Sequence, residues 1–407
     1  MSKWIYFLLI IPTFSIAALP KFLLGENEKW GMEIAPQVES SLKLRLGTRL
    51  HTITEYLRRN DKVKNTNNTF QDMYIRRGRV QLEAKYQQRL KLYFDLRNDT
   101  INKGDSGEGQ FNLGDGFIQV SNLFNVKALF IKLFRGKVDV SRSQTISSSK
   151  LLNLDRAHVS NEASNFVSHN RRASNIQLVG DFDHIYFQAI VGDGVQKSKF
   201  NDAKGNSLSS GAIDSQQFMI GGKVRFAPLD GWEDHDIAET YFGQGKHVSA
   251  GFGTFHTGRI EYRNSAATQV NSISRTLLNG EFSFHYKNLS FQSEWFRFNG
   301  VIEDFSTATK NKGSSEGYYA HAEYVFSNLS YIAPFIRYEN WDRFKQKSSY
   351  DQTSQVYGLN WYLKGNNIRV GLFYQLDQYD SNLQNADARG RIFDKDKTIK
   401  LTTMWHL

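Results

Sequence analysis

The basic residues of this chain recur at every second position. Lys43, Arg45 and Arg49 share one parity, as do Arg77, Arg79 and Lys85, and then Lys91 and Arg97. A side-chain period of two places each set on one face of a β-strand. Neighbouring strands of this kind make a wall of fixed positive charge. Such a wall raises the local concentration of anions, and an arginine fork matches phosphate oxygens. Glu83 and Asp95 lie on the same faces, so each cation could instead be held as one half of an ion pair in a polar wall.

No other constellation has the spacing of an active site. No Gly-x-Ser-x-Gly nucleophile elbow is expected. His247 and His256 fall near one proposed strand and His285 and His321 on others, without His-Glu-x-x-His spacing. Gly243, Gly245, Gly251 and Gly253 do not lead into a helix as a phosphate-binding fingerprint would, and glycines in strands more often mark bends. The Asp-rich stretch 377–396 lacks the order of an EF-hand loop. The chain has no cysteine, which excludes thiolate and disulfide chemistry. Neither catalysis nor a cofactor or metal is expected. The formal charge is +10, but the basic residues are dispersed rather than blocked, which excludes the usual nucleic-acid footprint.

The elements that carry these residues are strands. In the stretch Met73–Arg97, Val80, Leu82, Ala84 and Tyr86 alternate with Arg79, Gln81, Glu83 and Lys85. After a short polar turn, Leu90, Leu92, Phe94 and Leu96 alternate with Lys91, Tyr93, Asp95 and Arg97. Leu42, Leu44, Leu46 and Leu50 do the same before them. Comparable segments recur near 115–122, 126–135, 174–181, 184–192, 216–226, 246–256, 275–286, 289–298, 317–326, 331–340, 355–363, 367–376 and 397–407. That makes about sixteen strands. Connections alternate long and short almost without exception, with the short ones expected on the periplasmic side of an outer-membrane barrel. Aromatics are 14% of residues while mean hydropathy is −0.51. That balance fits aromatic girdles around a wet interior and not apolar helices of about 20 residues. The fold class is therefore all-β, a transmembrane antiparallel barrel whose apolar face meets lipid. By this register Arg76 faces outward at a strand end, and Pro334 marks a bulge or a strand start.

Residues 1–17 read as a signal peptide, with Lys3, an apolar core over Trp4–Phe14 and Ser15-Ile16-Ala17 before cleavage after Ala17 or Ala18. Residues 18–40 are expected to be a periplasmic lead-in and 41–407 the barrel. The last strand alternates Ile399, Leu401, Thr403, Trp405 and Leu407 with Lys400, Thr402, Met404 and His406.

Several runs resemble the phosphate-selective porin O and P family. They are Ile75-Arg76-Arg77-Gly78-Arg79-Val80, Ile131-Lys132-Leu133-Phe134-Arg135 with Ser147-Ser148-Ser149-Lys150-Leu151-Leu152, and Leu154-Asp155-Arg156-Ala157. Asn170-Arg171-Arg172-Ala173-Ser174-Asn175 and Tyr357-Gly358-Leu359-Asn360-Trp361 continue the likeness. It covers most of the chain, with Gly78 standing where that family has alanine. The resemblance implies a sixteen-stranded trimeric porin of a Gram-negative outer membrane. Its third external loop would fold into the lumen, and arginines and lysines would guide small anions.

The segment 138–172 is too long for an ordinary hairpin connection. Its apolar pieces, Leu151-Leu152, Leu154 and Phe166-Val167, require something to pack against. Folded inward, it would bring Arg142, Lys150, Arg156, Arg171 and Arg172 to the pathway. Left outside, its basic residues would meet lipopolysaccharide phosphates. The expected pathway set is Arg77, Arg79, Lys85, Lys91, Arg45, Arg49 and Lys132 with those five. A closed barrel serving as an adhesin or anchor and an outer-membrane hydrolase are the alternatives.

Overall fold

A computed structural model describes residues 32–34, 42–61, 66–87, 89–103, 110–168, 173–195, 200–206, 213–229, 237–242, 246–263, 270–305, 311–383 and 393–406. The wall is built from sixteen strands: β1 (Leu42–Asp61), β2 (Thr66–Tyr86), β3 (Leu90–Ile101), β4 (Asn112–Ser121), β5 (Leu129–Gly136), β6 (Ala173–Asp181), β7 (Ile185–Gly192), β8 (Met219–Phe226), β9 (Lys246–Arg263), β10 (Val270–Tyr286), β11 (Leu289–Ile302), β12 (Lys312–Tyr324), β13 (Ile332–Asp342), β14 (Asp351–Lys364), β15 (Ile368–Tyr379) and β16 (Phe393–His406). Each pairs antiparallel with the next. β16 returns to β1, from Phe393 against Asp61 to His406 against Arg49. The sheet is thus a closed ring, in which every strand finds two neighbours. Two short segments lengthen the wall: Met32–Ile34 runs beside Leu44–Leu46, and Ile213–Gln216 beside the upper end of β9.

Closure follows from the solvent. In hydrocarbon an unpaired backbone N–H or C=O costs several kcal/mol, so a spanning sheet has no free edge. The alternation read from the sequence sets the faces. Val80, Leu90, Leu92, Phe94, Leu96, Ile399, Leu401 and Trp405 are exposed on the outside, while Arg79, Gln81, Glu83 and Asp95 are buried within. Exposed Tyr86, Phe226, Tyr286, Tyr324, Trp361 and Trp405 sit close to the strand ends at the short-turn rim, where an aromatic girdle belongs. No helix among the described residues is long and apolar enough to cross a membrane.

Three expectations are corrected. Arg76 turns inward, because the pairing steps from Ile75 against Thr52 to Arg77 against His51 and leaves Arg76 as a bulge. A bulge adds one residue and reverses the parity beyond it. The loop-length alternation also breaks once. The connection 227–245, on the side of the short turns, is long, and its described part, 237–242, lies inside the barrel, with Ile237, Ala238, Glu239 and Thr240 buried. Finally, Gly313-Ser314-Ser315-Glu316-Gly317 does spell the nucleophile-elbow pattern. It runs through β12 without turning into a helix, and the Ser315 hydroxyl is taken up by Trp341 Nε1 (2.6 Å) and the Asp342 carbonyl (2.8 Å). Pro334 is the third residue of β13, and pairing with β12 begins only at Phe335, so its missing N–H breaks no ladder bond there. Of the first 41 residues only 32–34 are described, so the signal and most of the lead-in fall outside, as does Leu407.

Candidate functional site: two basic cavities around an internal segment

The connection between β5 and β6 carries the site. Its described part contains two helices, α1 (Arg142–Thr145) and α2 (His158–Val167). Val138, Val140, Val159, Ala163, Phe166 and Val167 are buried against Phe255, Leu277, Phe296, Phe298 and Trp341, which the strands β9 to β13 turn inward. Leu152 packs on Phe335, Val356 and Phe373. This inner wall is apolar where the segment lies, so burial there removes hydrocarbon from water at roughly 25 cal/mol per Å².

Polar wall residues finish the docking by sign. Cations take the segment's carbonyls. Arg77 Nη2 donates to Leu154 O (3.1 Å), Arg337 Nη1 to Asp155 O (2.8 Å) and Arg369 Nη1 to Leu151 O (2.5 Å). Carboxylates take its N–H groups. Glu294 accepts from the N–H of Arg142 (3.0 Å) and of Ser143 (2.8 Å) at the start of α1. Glu339 accepts from His158 (2.9 Å) and Val159 (2.6 Å) at the start of α2. A helix N-terminus has orphan donors and partial positive charge, and an anion satisfies both. The residue before α2 is Ala157, which caps nothing with its side chain. Glu339 supplies that role from across the lumen.

The turn 237–242 meets the same segment from the opposite rim. The Glu239 N–H donates to Lys150 O (3.1 Å), and its carboxylate accepts from the Leu152 N–H (2.5 Å). Ile237 packs on Ile146 and Leu151. Burial pushes the Glu239 carboxyl up to about 7, against the pull of the Leu152 N–H and of Arg337, Arg156 and Arg369.

Among the described residues, two cavities lie beside the segment. The larger, about 320 Å³, lies toward β1–β5. Arg49, Arg79, Lys91, Lys132, Lys150 and Arg156 line it, together with Arg97, Arg135 and Lys137. Four carboxylates, Glu83, Asp95, Asp115 and Asp139, line the cavity with these nine cations. Arg49 also donates to Ser148 Oγ (3.1 Å), and Arg97 lies 2.8–2.9 Å from Asp115 and Asp95. Arg79 lies 3.3 Å from Asp99, and Lys91 2.8 Å from Glu83. Lys132 is held differently. Its ammonium sits 4.5 Å over the Phe117 ring and 4.7 Å over that of Phe134. A ring face positions a cation without neutralising it.

The smaller cavity, about 220 Å³, is lined by Arg76, Arg77, Arg156, Arg337 and Lys400, with Asp155 as its one carboxylate. Position inside the barrel would push the Asp155 carboxyl up, but Lys400, Arg76 and Arg77 hold it well below the usual range. Arg156 lines both cavities and is fixed by the carbonyls of Ser143 (2.7 Å) and Ile146 (2.7 Å).

The expected pathway residues therefore divide. Arg49, Arg79, Lys91, Lys132, Lys150 and Arg156 come together in the larger cavity, and Arg77 joins Arg156 in the smaller. Arg45 and Lys85 stand apart, both against Glu83 at 3.2 and 3.4 Å. Arg142 is buried away from both, donating to Gln292 (3.0 Å), Ser249 and the Ala238 carbonyl. Arg171 and Arg172 lie outside the described residues. Sequence reasoning passed over Arg337, Glu294 and Glu339. Parity put them all on inward faces, but parity does not say which residue meets an internal segment. Among the described residues no group of three or more His, Asp or Glu could hold a metal ion.

A closed ring, greasy outside and charged within, defines a transmembrane β-barrel. Its solved relatives in fold are outer-membrane proteins. The anion-selective porin from Comamonas acidovorans superposes with a TM-score of 0.58 at 13% identity, over 90% of this chain and all of that one. The outer-membrane channel DcaP of Acinetobacter baumannii gives 0.57 at 9%, over 93% of this chain and 100% of its own. A loop L8 deletion mutant of OmpT, an outer-membrane protein of Vibrio cholerae, gives 0.54 at 10%, over 90% and 100%. The chain thus has the fold of the outer-membrane porins. No family model and no curated protein sequence matches it.

Proposed function

We propose that this protein is an outer-membrane porin through which small hydrophilic solutes diffuse passively, with a preference for anions such as phosphate. The observation that carries this reading is the larger cavity, with nine cations against four carboxylates beside the internal segment. The segment 144–156 narrows the passage, and the wall of β1–β5 sets its sign. A fixed excess of positive charge concentrates anions there, and no bond is made or broken. Lys132 is the residue we place first, since two ring faces position its charge without neutralising it. Planar-bilayer recording in a salt gradient tests the reading. A reversal potential on the anion side is expected, together with reduction of chloride current by inorganic phosphate. A cation-side potential would overturn the preference.

The turn 237–242 inside the lumen favours a second reading, a barrel too tightly filled to conduct that serves as an anchor. Open, ohmic single channels would end it. We further propose that three copies associate. The outer wall over β3–β7 carries an apolar cleft of about 840 Å³ lined by Leu92, Phe94, Ile118, Leu133, Ile176 and Val191, a place for a neighbouring copy to seat. Cross-linking in native membranes should give a trimer band.

A further inference from the structure

The smaller cavity already holds an anion, and that anion belongs to the chain. Asp155 reaches into it from the internal segment. Its Oδ1 accepts from Arg76 Nε and Nη2 (both 3.3 Å), and its Oδ2 lies 3.1 Å from Lys400. Arg77 and Arg337 meet the same stretch through the backbone carbonyls of Leu154 and Asp155. Four wall cations from β2, β13 and β16 thus surround one side-chain carboxylate. Arg337 is buried, and its Nε has no hydrogen-bond partner among the described residues. Asp155 itself keeps 29% of its side-chain surface open to the cavity, so it is bound but not sealed in. Arg76 is present only because of the bulge that turned it inward.

We propose that this cavity is a binding site for a small carboxylate anion, and that Asp155 is its resident, displaceable occupant. The chemistry of the occupant fixes the class of ligand. Two oxygens in one plane take two different cations, and each oxygen takes charge-assisted donors. A carboxylate entering from solution makes the same contacts and releases Asp155 to water. The ion-pair count is conserved, so the exchange carries little net cost, and a solute can both enter and leave. The physiological use of the site rests on the channel reading, but its existence does not.

The test compares the wild-type barrel, folded in detergent, with Asp155→Asn by titration calorimetry with sodium acetate. Removing the tethered competitor is expected to tighten acetate binding about tenfold, the equivalent of ~1.4 kcal/mol. Adding Lys400→Gln to Asp155→Asn should return the affinity to the wild-type level. Equal acetate affinity in wild type and Asp155→Asn overturns the proposal, as does a gain that survives loss of Lys400. The same gain with inorganic phosphate overturns the carboxylate assignment. The titration needs no current. A barrel that binds acetate as expected but conducts nothing in a bilayer removes the channel reading and keeps the site.

Discussion

At the scale of the residue, a cation matters by what it faces. Lys85 and Lys132 are both inward-facing lysines of the β1–β5 wall. Lys85 lies 3.4 Å from Glu83 and outside the larger cavity, while Lys132 lines it over two aromatic rings. Unit charges about 6 Å apart in water interact by roughly 0.7 kcal/mol, or about threefold in local ion concentration. Lys132→Ala should therefore lower the anion-to-cation permeability ratio by about threefold, read from reversal potentials. Lys85→Ala should move it far less. Equal shifts from the two variants would mean that overall lumen charge, and not this cavity, sets selectivity. The sequence made the inward position of both legible, because parity alone decides it. It could not separate them, because the carboxylate that neutralises one and the rings that hold the other depend on neighbours across strands.

At the scale of the element, the internal segment is held by charges matched to its backbone. Glu294 and Glu339 each take two N–H groups of a helix start. Hydrogen bonds to a charged group contribute about 1.5–3 kcal/mol each. The double variant Glu294→Ala, Glu339→Ala orphans four donors and should free the segment without opening the wall. Trypsin should then cut the folded barrel at Lys150 and Arg156, where wild type resists, and the single-channel current should become larger and noisier. The turn 237–242 adds a dependence on pH. Docking raises the Glu239 carboxyl to about 7, so the docked turn holds the proton more tightly than the free one. Its stability is then full below the usual carboxylate range and is lost as pH rises through about 7. The facing groups are Arg156 on the inner segment, Arg337 and Arg369 on the wall, and Tyr319. Conductance should rise as pH is taken from about 5 to about 8, and Glu239→Gln should flatten the response. The length and apolar content of 138–172 marked it in the sequence. The turn did not stand out, since Ile237-Ala238-Glu239-Thr240 has no period that distinguishes it from a solvated connection. Arg76 was misplaced for a related reason: an alternation count cannot see a bulge.

At the scale of the molecule, one geometric requirement governs the rest, which is that the sheet must meet itself. The sixteen strands were legible because lipid outside and charge within impose the same period on every one of them. The closing contact was not, since nothing in residues 393–406 names β1 as their partner. β16 pairs along twelve positions with β1 and along eleven with β15. It also contributes Lys400 and His406 to the lumen, one in each cavity. A chain ending before Phe393 would leave β1 and β15 as open edges in hydrocarbon. With several kcal/mol for each unsatisfied group, that far exceeds the 5–15 kcal/mol by which proteins are stable. Such a truncation should not yield a partial barrel with a slightly wider pore. It should fail to fold into detergent micelles at all and lose the heat-dependent gel mobility that a folded barrel shows. A truncated chain that still migrates as a compact barrel would mean that the wall can close over fifteen strands. The inward register of every basic residue discussed above would then have to be redrawn.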